Sequence, residues 1–499
     1  MSVKTPHPEY TEHAAQWQRC RDAFEGQDAI HEAGSTYLPM LSGQSVDEYK
    51  AYVTRATFYN ATSRTVSGLK GMLFRKEARV EVAPVVKPLL EDISLEGDPL
   101  HLQAMEAVEE CLVVGRVGIF VDFPKVDVTA VTAADAQAMQ LRPTSRLYET
   151  ESIINWRTST IRNANVLSRV VLEEEVEVAK SEFESECKTQ YRVLDLAPSP
   201  VPNNLSMVYR VRVFEQDKDG KDIQIGESAY PILAGKMLDF IPFYFVGING
   251  VSPDVEEPPL LDLVNINVSH YKTNADYEHG CHFTGLPTPV ITGYTPDAAP
   301  GSQTTFGIGS TTAWVFPRTD AKAFFLEFTG TGLKALENNL TRKEAQMAVL
   351  GARMLETKMN TGESGVSSSI NLNGEQSTLA TIAKAVSLGI QRALTTFALF
   401  AGSSTPVRFE LNKDFFPVPM TPLELTALVA SWQNGAISYD TLFQNLKRGE
   451  VMDPAKTVES ELALMDQHKP IIPAGTQVGQ SNKPTHEVTM PTNRQLQTP

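Results

Sequence analysis

Hydrophobic and polar positions along this chain of 499 residues follow two alternating periods. A spacing of three to four predicts helices over Tyr10–Glu25, Asp47–Ser67 and Leu100–Val114, with Gly68 and Gly71 ending the second and Gly115 the third. Alternating, β-branched runs predict strands at Ser152–Arg157, Val166–Val178, Tyr191–Leu196 and Met207–Glu215. Val117–Phe123 is a short apolar strand closed by Pro124. Pro258-Pro259 opens a helix that runs to Phe283 and, at 1.5 Å per residue, spans roughly 37 Å. The Gly-, Ser-, Thr- and Pro-rich stretch Leu286–Glu327 holds strands at Ala313–Phe316 and Ala323–Phe328. Leu333–Leu355 returns to helical spacing. Two long helices therefore flank a small β-rich excursion, which predicts a helical hairpin with a subdomain at its tip.

A polar run then breaks the pattern. Met359–Gln376 reads MNTGESGVSSSINLNGEQ and carries, between its ends, only Val366, Ile370 and Leu372 as hydrophobic residues. Aperiodic segments this long inside a compact protein are usually functional or disordered. An apolar helix follows to Phe400, then a strand over Val407–Phe416. Helices over Pro422–Asn434, Ser438–Arg448 and Pro454–Asp466 come next, the first with Thr421 at its N-cap and Pro422 at N1. From His468 the chain is polar, aperiodic and rich in Pro and Gly, and is expected to be a disordered tail.

With 42% hydrophobic and 21% charged residues, the composition belongs to the globular class, and the length calls for more than one core. A net charge of −16 argues against tight wrapping of nucleic acid, which needs a basic footprint. Cys20, Cys111, Cys187 and Cys281 form no CxxC pair and read as reduced thiols. The opening MSVKTPHPEYTEH has no apolar core of a secretory signal, and no uncharged run reaches membrane-spanning length, so no membrane partner is expected. Seven glutamates between Glu173 and Glu186 read as a solvated strand edge and turn.

Three local patterns bear on chemistry. Gly330-Thr331-Gly332-Leu333-Lys334-Ala335 matches GxGxxA after an apolar strand, as a dinucleotide site would, but the second strand and acidic residue expected about twenty residues on are missing. Glu278, His279, Cys281 and His282 cluster near a helix end without a second ligand group to complete a metal site. No catalytic constellation, metal site or cofactor is expected, and the chain reads as non-enzymatic. Over Leu333–Lys358 the cations Lys334, Arg342, Lys343, Arg353 and Lys358 outnumber the anions Glu337, Glu344 and Glu356. This local excess, in an acidic chain, suits a face turned toward a polyanion.

The order of elements, with several short motifs, resembles the portal proteins of tailed double-stranded DNA bacteriophages, in particular a podovirus-type branch. The motifs are Tyr37-Leu38-Pro39, Tyr52–Asn60, Arg64-Thr65-Val66, Gly68–Phe74, Gly115–Asp122, Ile154–Arg157, Ala275–Glu278, Gly285–Pro289 and Leu350–Arg353. The resemblance implies an α+β, mainly helical, ring-forming architecture of wing, stem, clip and crown. Residues 1–256 and 377–420 would form the wing, 257–285 and 333–357 the stem helices, and 286–332 the clip. Residues 358–376 would be a tunnel loop, 421–467 the crown and 468–499 the tail. It further implies a homo-oligomer, usually of twelve subunits, in a virion assembled in the host cytoplasm. Its expected partners are double-stranded DNA bound without sequence specificity, the terminase large subunit, a major capsid or scaffolding protein, and a neck or adaptor protein. Lys358, Asn360, Ser364, Ser367, Asn371 and Asn373 of the loop and Lys343 and Arg353 of the stem are the DNA-facing candidates. Twelve chains at −16 each carry roughly −190, so such a channel would repel rather than grip a duplex. A different head–tail connector, or a nucleotide-binding enzyme using Gly330–Gly332, are the alternative readings.

Overall fold

The computed structural model describes residues 2–123, 141–161, 163–202, 206–233, 235–285, 288–293, 320–326, 330–354, 377–413, 415, 422–449, 451–452 and 456–467. Residues 313–316, the six loop candidates from Lys358 to Asn373, and the tail from residue 468 lie outside them. The chain divides into two compact units, Met1–Phe415 and Phe416–Pro499. Both helices and antiparallel sheets are present, and the fold class is α+β.

The first unit begins with α1 (Pro8–Glu25), α2 (Gln27–Ala33), α3 (Val46–Arg55) and α4 (Ala61–Leu73). The single helix expected over Asp47–Ser67 is therefore two. Ala56 turns extended after α3, and Asn60 caps α4 by accepting a bond from the Ser63 amide at 3.1 Å. The freed carbonyls of the Ala56–Tyr59 linker are satisfied from elsewhere, by His31 on Ala56 at 2.9 Å and by Asn274 and Asn267 on Thr57 and Tyr59 at 2.8 Å each. Nor do the glycines end α4. Gly68 and Gly71 lie within it, because two glycines cost only about 2 kcal/mol of helix propensity against the burial of Val66, Leu69 and Leu73.

Helix α5 (Leu100–Val113) leads through Gly115, at φ +83°, into β2 (Arg116–Asp122). There β2 sits between β11 (Phe243–Gly247) and β3 (Thr144–Glu149) in a three-stranded sheet. A five-stranded meander runs through β4 (Ile153–Ile161), β5 (Ala164–Ala179), β6 (Ser185–Pro198), β7 (Met207–Gln216) and β8 (Asp222–Ala229), and the short antiparallel pair β9 (Ile232–Leu233) and β10 (Lys236–Met237) follows it in sequence. One face of the small sheet lays Phe120, Phe243 and Phe245 on Trp156, Val170, Leu172, Leu194, Tyr209 and Val211 of the meander. Arg116 is buried there with its guanidinium 4.0 Å from the Trp156 ring and 4.2 Å from that of Phe245. Burial pushes its pKa down to about 9, so the two ring faces do the work that hydrogen bonds usually do.

The other face of the small sheet meets α8 (Thr378–Phe400), which buries Leu379, Ile382, Val386, Ile390, Leu394 and Phe397. Contact is close enough that a Cβ at Gly389 would lie 2.3 Å from Val246 Cγ2. Strand β14 (Arg408–Glu410), paired with β1 (Arg79–Glu81), returns along α8, and the Leu411 amide donates to Ser387 Oγ at 3.0 Å. Burial of α8 on several sides explains its apolar sequence. The second unit holds α9 (Pro422–Gln433), α10 (Tyr439–Arg448) and α11 (Val458–Gln467). Trp432 and Phe443 flank Tyr439 there at ring distances of 5.8 and 6.3 Å.

Candidate functional site

The expected helical hairpin is present as α6 (Leu261–Gly285) and α7 (Thr331–Arg353), with the antiparallel ribbon β12 (Thr288–Thr292) and β13 (Lys322–Leu326) between them in sequence. The helices run antiparallel. A Cβ at Gly280 would meet Leu333 Cδ2 at 2.5 Å, and one at Gly351 would lie 3.8 Å from Leu263 Cδ1. Leu333, Leu336, Leu340, Lys343, Met347, Leu350 and Met354 recur at alternating steps of three and four, and form the inward stripe of α7. The rest of α7 is largely exposed, including Val349 at 53%. Helix α6 buries residues on two faces over its first half, Val264, Val268 and Tyr271 among them, as a helix packed between α7 and the N-terminal helices must.

Lys343 sits on that seam. Its ammonium donates to the Ser269 carbonyl at 2.8 Å and to Thr273 Oγ1 at 2.6 Å, so it clamps α7 to α6. Burial, and then Arg342, pull its pKa below the usual lysine range. Beside it, His270 is 5% exposed with Nε2 3.3 Å from Glu344 Oε1. Burial lowers its pKa although Glu344 opposes the shift. A histidine whose folded pKa lies below its unfolded value stabilises the fold fully above about pH 6.5 and loses that contribution as pH falls toward the folded pKa. His7 and His279 are shifted the same way, each mainly by burial. The share of stability that these histidines supply should therefore decline as pH drops from 7 to 5, and His270→Gln should remove its part of that pH dependence. Denaturant midpoints across the pH series check this; an unchanged slope in the variant would reject the assignment.

Arg353 lies in the last turn of α7, exposed and with no ion pair among the described residues. One residue on, the Met354 carbonyl accepts the Leu379 amide at 3.1 Å, and Ser377 Oγ caps α8 through the Ala380 amide at 3.2 Å. The described residues on either side of the polar segment, Met354 and Leu379, thus lie together. Of the eight candidates named from sequence, Arg353 stands free at that point, and Lys343 is held inside the hairpin. Charge and place in the helix do not by themselves separate these two. The signal was there, since Lys343 falls on the seam period and Arg353 does not.

The GxGxxA run places Gly330 at φ +65° as the N-cap of α7. The strand before it, β13, pairs antiparallel with β12, a different setting from the parallel βαβ unit in which that fingerprint holds a pyrophosphate. Near the far end of α6, His279 packs edge-on against Tyr52 and Phe283 at 5.2 and 4.7 Å. Among the described residues no group of three or more His, Cys, Asp or Glu is arranged to hold a metal ion. None of their helices is long and apolar enough to cross a membrane.

No curated protein matches the chain. Among solved structures it is similar to the neck of an empty gene transfer agent (GTA) particle computed with C6 symmetry, at 11% identity and TM-score 0.38, over 78% of this chain and 91% of that one. The neck of a native GTA particle computed with C12 symmetry is similar at 11% identity and TM-score 0.37, over 79% and 92%. The virion of a native GTA particle is similar at 10% identity and TM-score 0.37, over 84% and 97%. The family model that matches, described as a domain of unknown function (DUF4055), covers residues 259–401, from the start of the hairpin through the end of α8.

Proposed function

We propose that this chain is a portal-type protein of a tailed phage or phage-like particle: a ring-forming, non-enzymatic conduit for double-stranded DNA at one vertex of a capsid. The observation that carries the reading is the hairpin α6–α7 with a ribbon inserted between its helices, followed at once by a polar segment pinned at both ends and by the buried helix α8. That order is the one the sequence motifs imply for stem, clip, tunnel loop and wing helix. Arg353 at the base of the polar segment would make transient phosphate contacts, which position a duplex without reading its sequence. A net charge of −16 per chain favours passage over retention. On this reading the exposed side of α7 lies against neighbouring subunits or the channel. The terminase large subunit, capsid or scaffolding protein and a neck protein would be the further partners.

Negative-stain microscopy of the purified full chain tests this. Closed rings with a central hole wide enough for a B-form duplex are expected. Monodisperse monomers in every buffer and at every concentration would overturn the ring. Rings that assemble only on a preformed head would instead favour a head–tail adaptor.

A further inference from the structure

The meander presents two unmatched charge features on one face, and they complement each other between copies. Strand register places Arg157, Arg169, Asp195 and Arg210 in a row across β4, β5, β6 and β7. Arg210 and Arg212 both hold Asp195, at 2.8 and 2.7 Å. Arg157 and Arg169 stand directly opposite each other, exposed, with no side-chain ion pair or hydrogen bond among the described residues. Like charges at directly opposed positions repel, and Asp195, the neighbour of Arg169 on β6, is already shared by Arg210 and Arg212, so the row keeps an excess of positive charge.

The anions lie farther along the same strand. Side chains two apart share a face, so Glu173, Glu175 and Glu177 of β5 stand on the side that carries Arg169. From the Glu175–Thr189 pair to the Ala179–Ser185 pair, β5 and β6 have no third strand beside them among the described residues. They project as a two-stranded arm roughly 17 Å long. Both faces of this arm are exposed, Glu175 and Glu177 on one and Val176 and Val178, at 37% and 40%, on the other, with Phe183 at the tip at 90%. Isolated two-stranded ribbons are marginal in water and gain stability when another surface covers them. Glu175, Glu177, Glu182 and Glu184 have no ion pair among the described residues, while Lys180 is taken by Glu186 at 3.4 Å. Arg169 and Glu175 are six residues apart on an extended strand, roughly 20 Å, too far to neutralise each other within one chain.

We propose that the acidic arm of one copy docks on the Arg157–Arg169 row of a second copy. Each subunit then offers one arm and one row, the heterologous contact from which a closed ring is built. The head-to-tail sense of the contact rests on the ring reading; its residues rest on the sheet. A nucleic-acid occupant of the row is the weaker choice, because the chain is acidic overall and supplies its own matching anions.

Reciprocal charge reversal tests the contact on the full chain. One variant carries Glu175→Arg and Glu177→Arg, the other Arg157→Glu and Arg169→Glu, all at exposed positions, with folding checked by circular dichroism. Sedimentation should show each variant alone associating at least about tenfold more weakly than the wild type, since like charges then face each other. An equimolar mixture should recover association, because each reversed arm then meets a reversed row. Either variant associating like the wild type, a mixture that fails to recover, or a wild type that never associates overturns the assignment. Loss of duplex DNA binding by the Arg157→Glu/Arg169→Glu variant with association unchanged does so as well, and marks the row as a phosphate surface. Wild-type rings that ignore the reversal reject this contact and spare the ring reading. Charge-dependent pairs that never close into rings reject the ring reading and spare the contact.

Discussion

Arg21→Ala should cost about 3–5 kcal/mol of stability in the first unit, read as a lowered denaturant midpoint. Arg21 leaves α1 to meet Glu110 of α5 through two bonds of 2.7 and 2.8 Å, and Glu151, just before β4, at 2.9 Å. Arg21 and Glu110 are only 16% and 11% exposed at their side chains. Burial already pushes the Glu110 pKa up, and Arg21 pulls part of it back. Removing the cation leaves two carboxylates facing each other in a partly dry site, so the penalty is that of an uncompensated charge rather than of a lost surface bridge. The sign with pH follows. A carboxyl whose folded pKa is raised is most costly above that pKa, where it must carry charge. The deficit of Arg21→Ala should therefore be largest at neutral pH and shrink as pH falls and Glu110 takes a proton. Adding Glu110→Leu should return much of the loss at pH 7. A deficit that does not change with pH would mean that lost packing of the arginine stem, not charge, sets the effect.

The contrast between what was legible in the chain and what was not has a physical pattern. Helices with one apolar face and a clean stop, such as α1 and α5, and the hairpin pair α6 and α7, could be placed within a few residues because burial repeats at the helical period. The break between α3 and α4 was not, because Ala56 and Tyr59, four and seven residues on from Tyr52, continue the helical spacing. What stops the helix there is a set of side chains from distant α6 that take the linker carbonyls. Strand β6 begins six residues before the alternation at Tyr191 becomes visible, because its first part lies in the arm, exposed on both faces, where nothing selects apolar residues. Strands β8 and β11 are not among the runs that the alternation marks, and nothing in the motif Gly115–Asp122 shows that Arg116 stacks on Trp156. The candidate site was half legible. Polarity marked the segment after α7, but only the Leu379–Met354 bond shows that its two ends meet.

Gly389→Ala should destabilise the first unit by about 2–3 kcal/mol, whereas Gly71→Ala should stabilise it by about 0.5–1 kcal/mol. The two substitutions are chemically identical, and both glycines lie inside helices, α8 and α4. In an open helix, alanine restricts the unfolded chain and favours the helical backbone, and among the described residues nothing lies within 4 Å of a Cβ at Gly71. At Gly389 the same methyl would stand 2.3 Å from Val246 Cγ2 and 3.5 Å from its Cβ. Val246 is fully buried in β11 and β-branched, so its side chain has little freedom to retreat. The helix must lift from the sheet, and with it would move the Tyr244–Thr396 hydroxyl bond of 2.5 Å and the Ser387 contact to the chain beyond β14. Because α8 also anchors one end of the polar segment through Leu379, this displacement should reach Arg353 and the base of that segment. Denaturation of the two variants separates propensity from packing, and hydrogen exchange at Leu379 and Ala380 reports whether the anchor loosens in Gly389→Ala alone. Equal effects of the two substitutions would mean that α8 and β11 do not meet at Gly389, and that the anchor is held by other contacts.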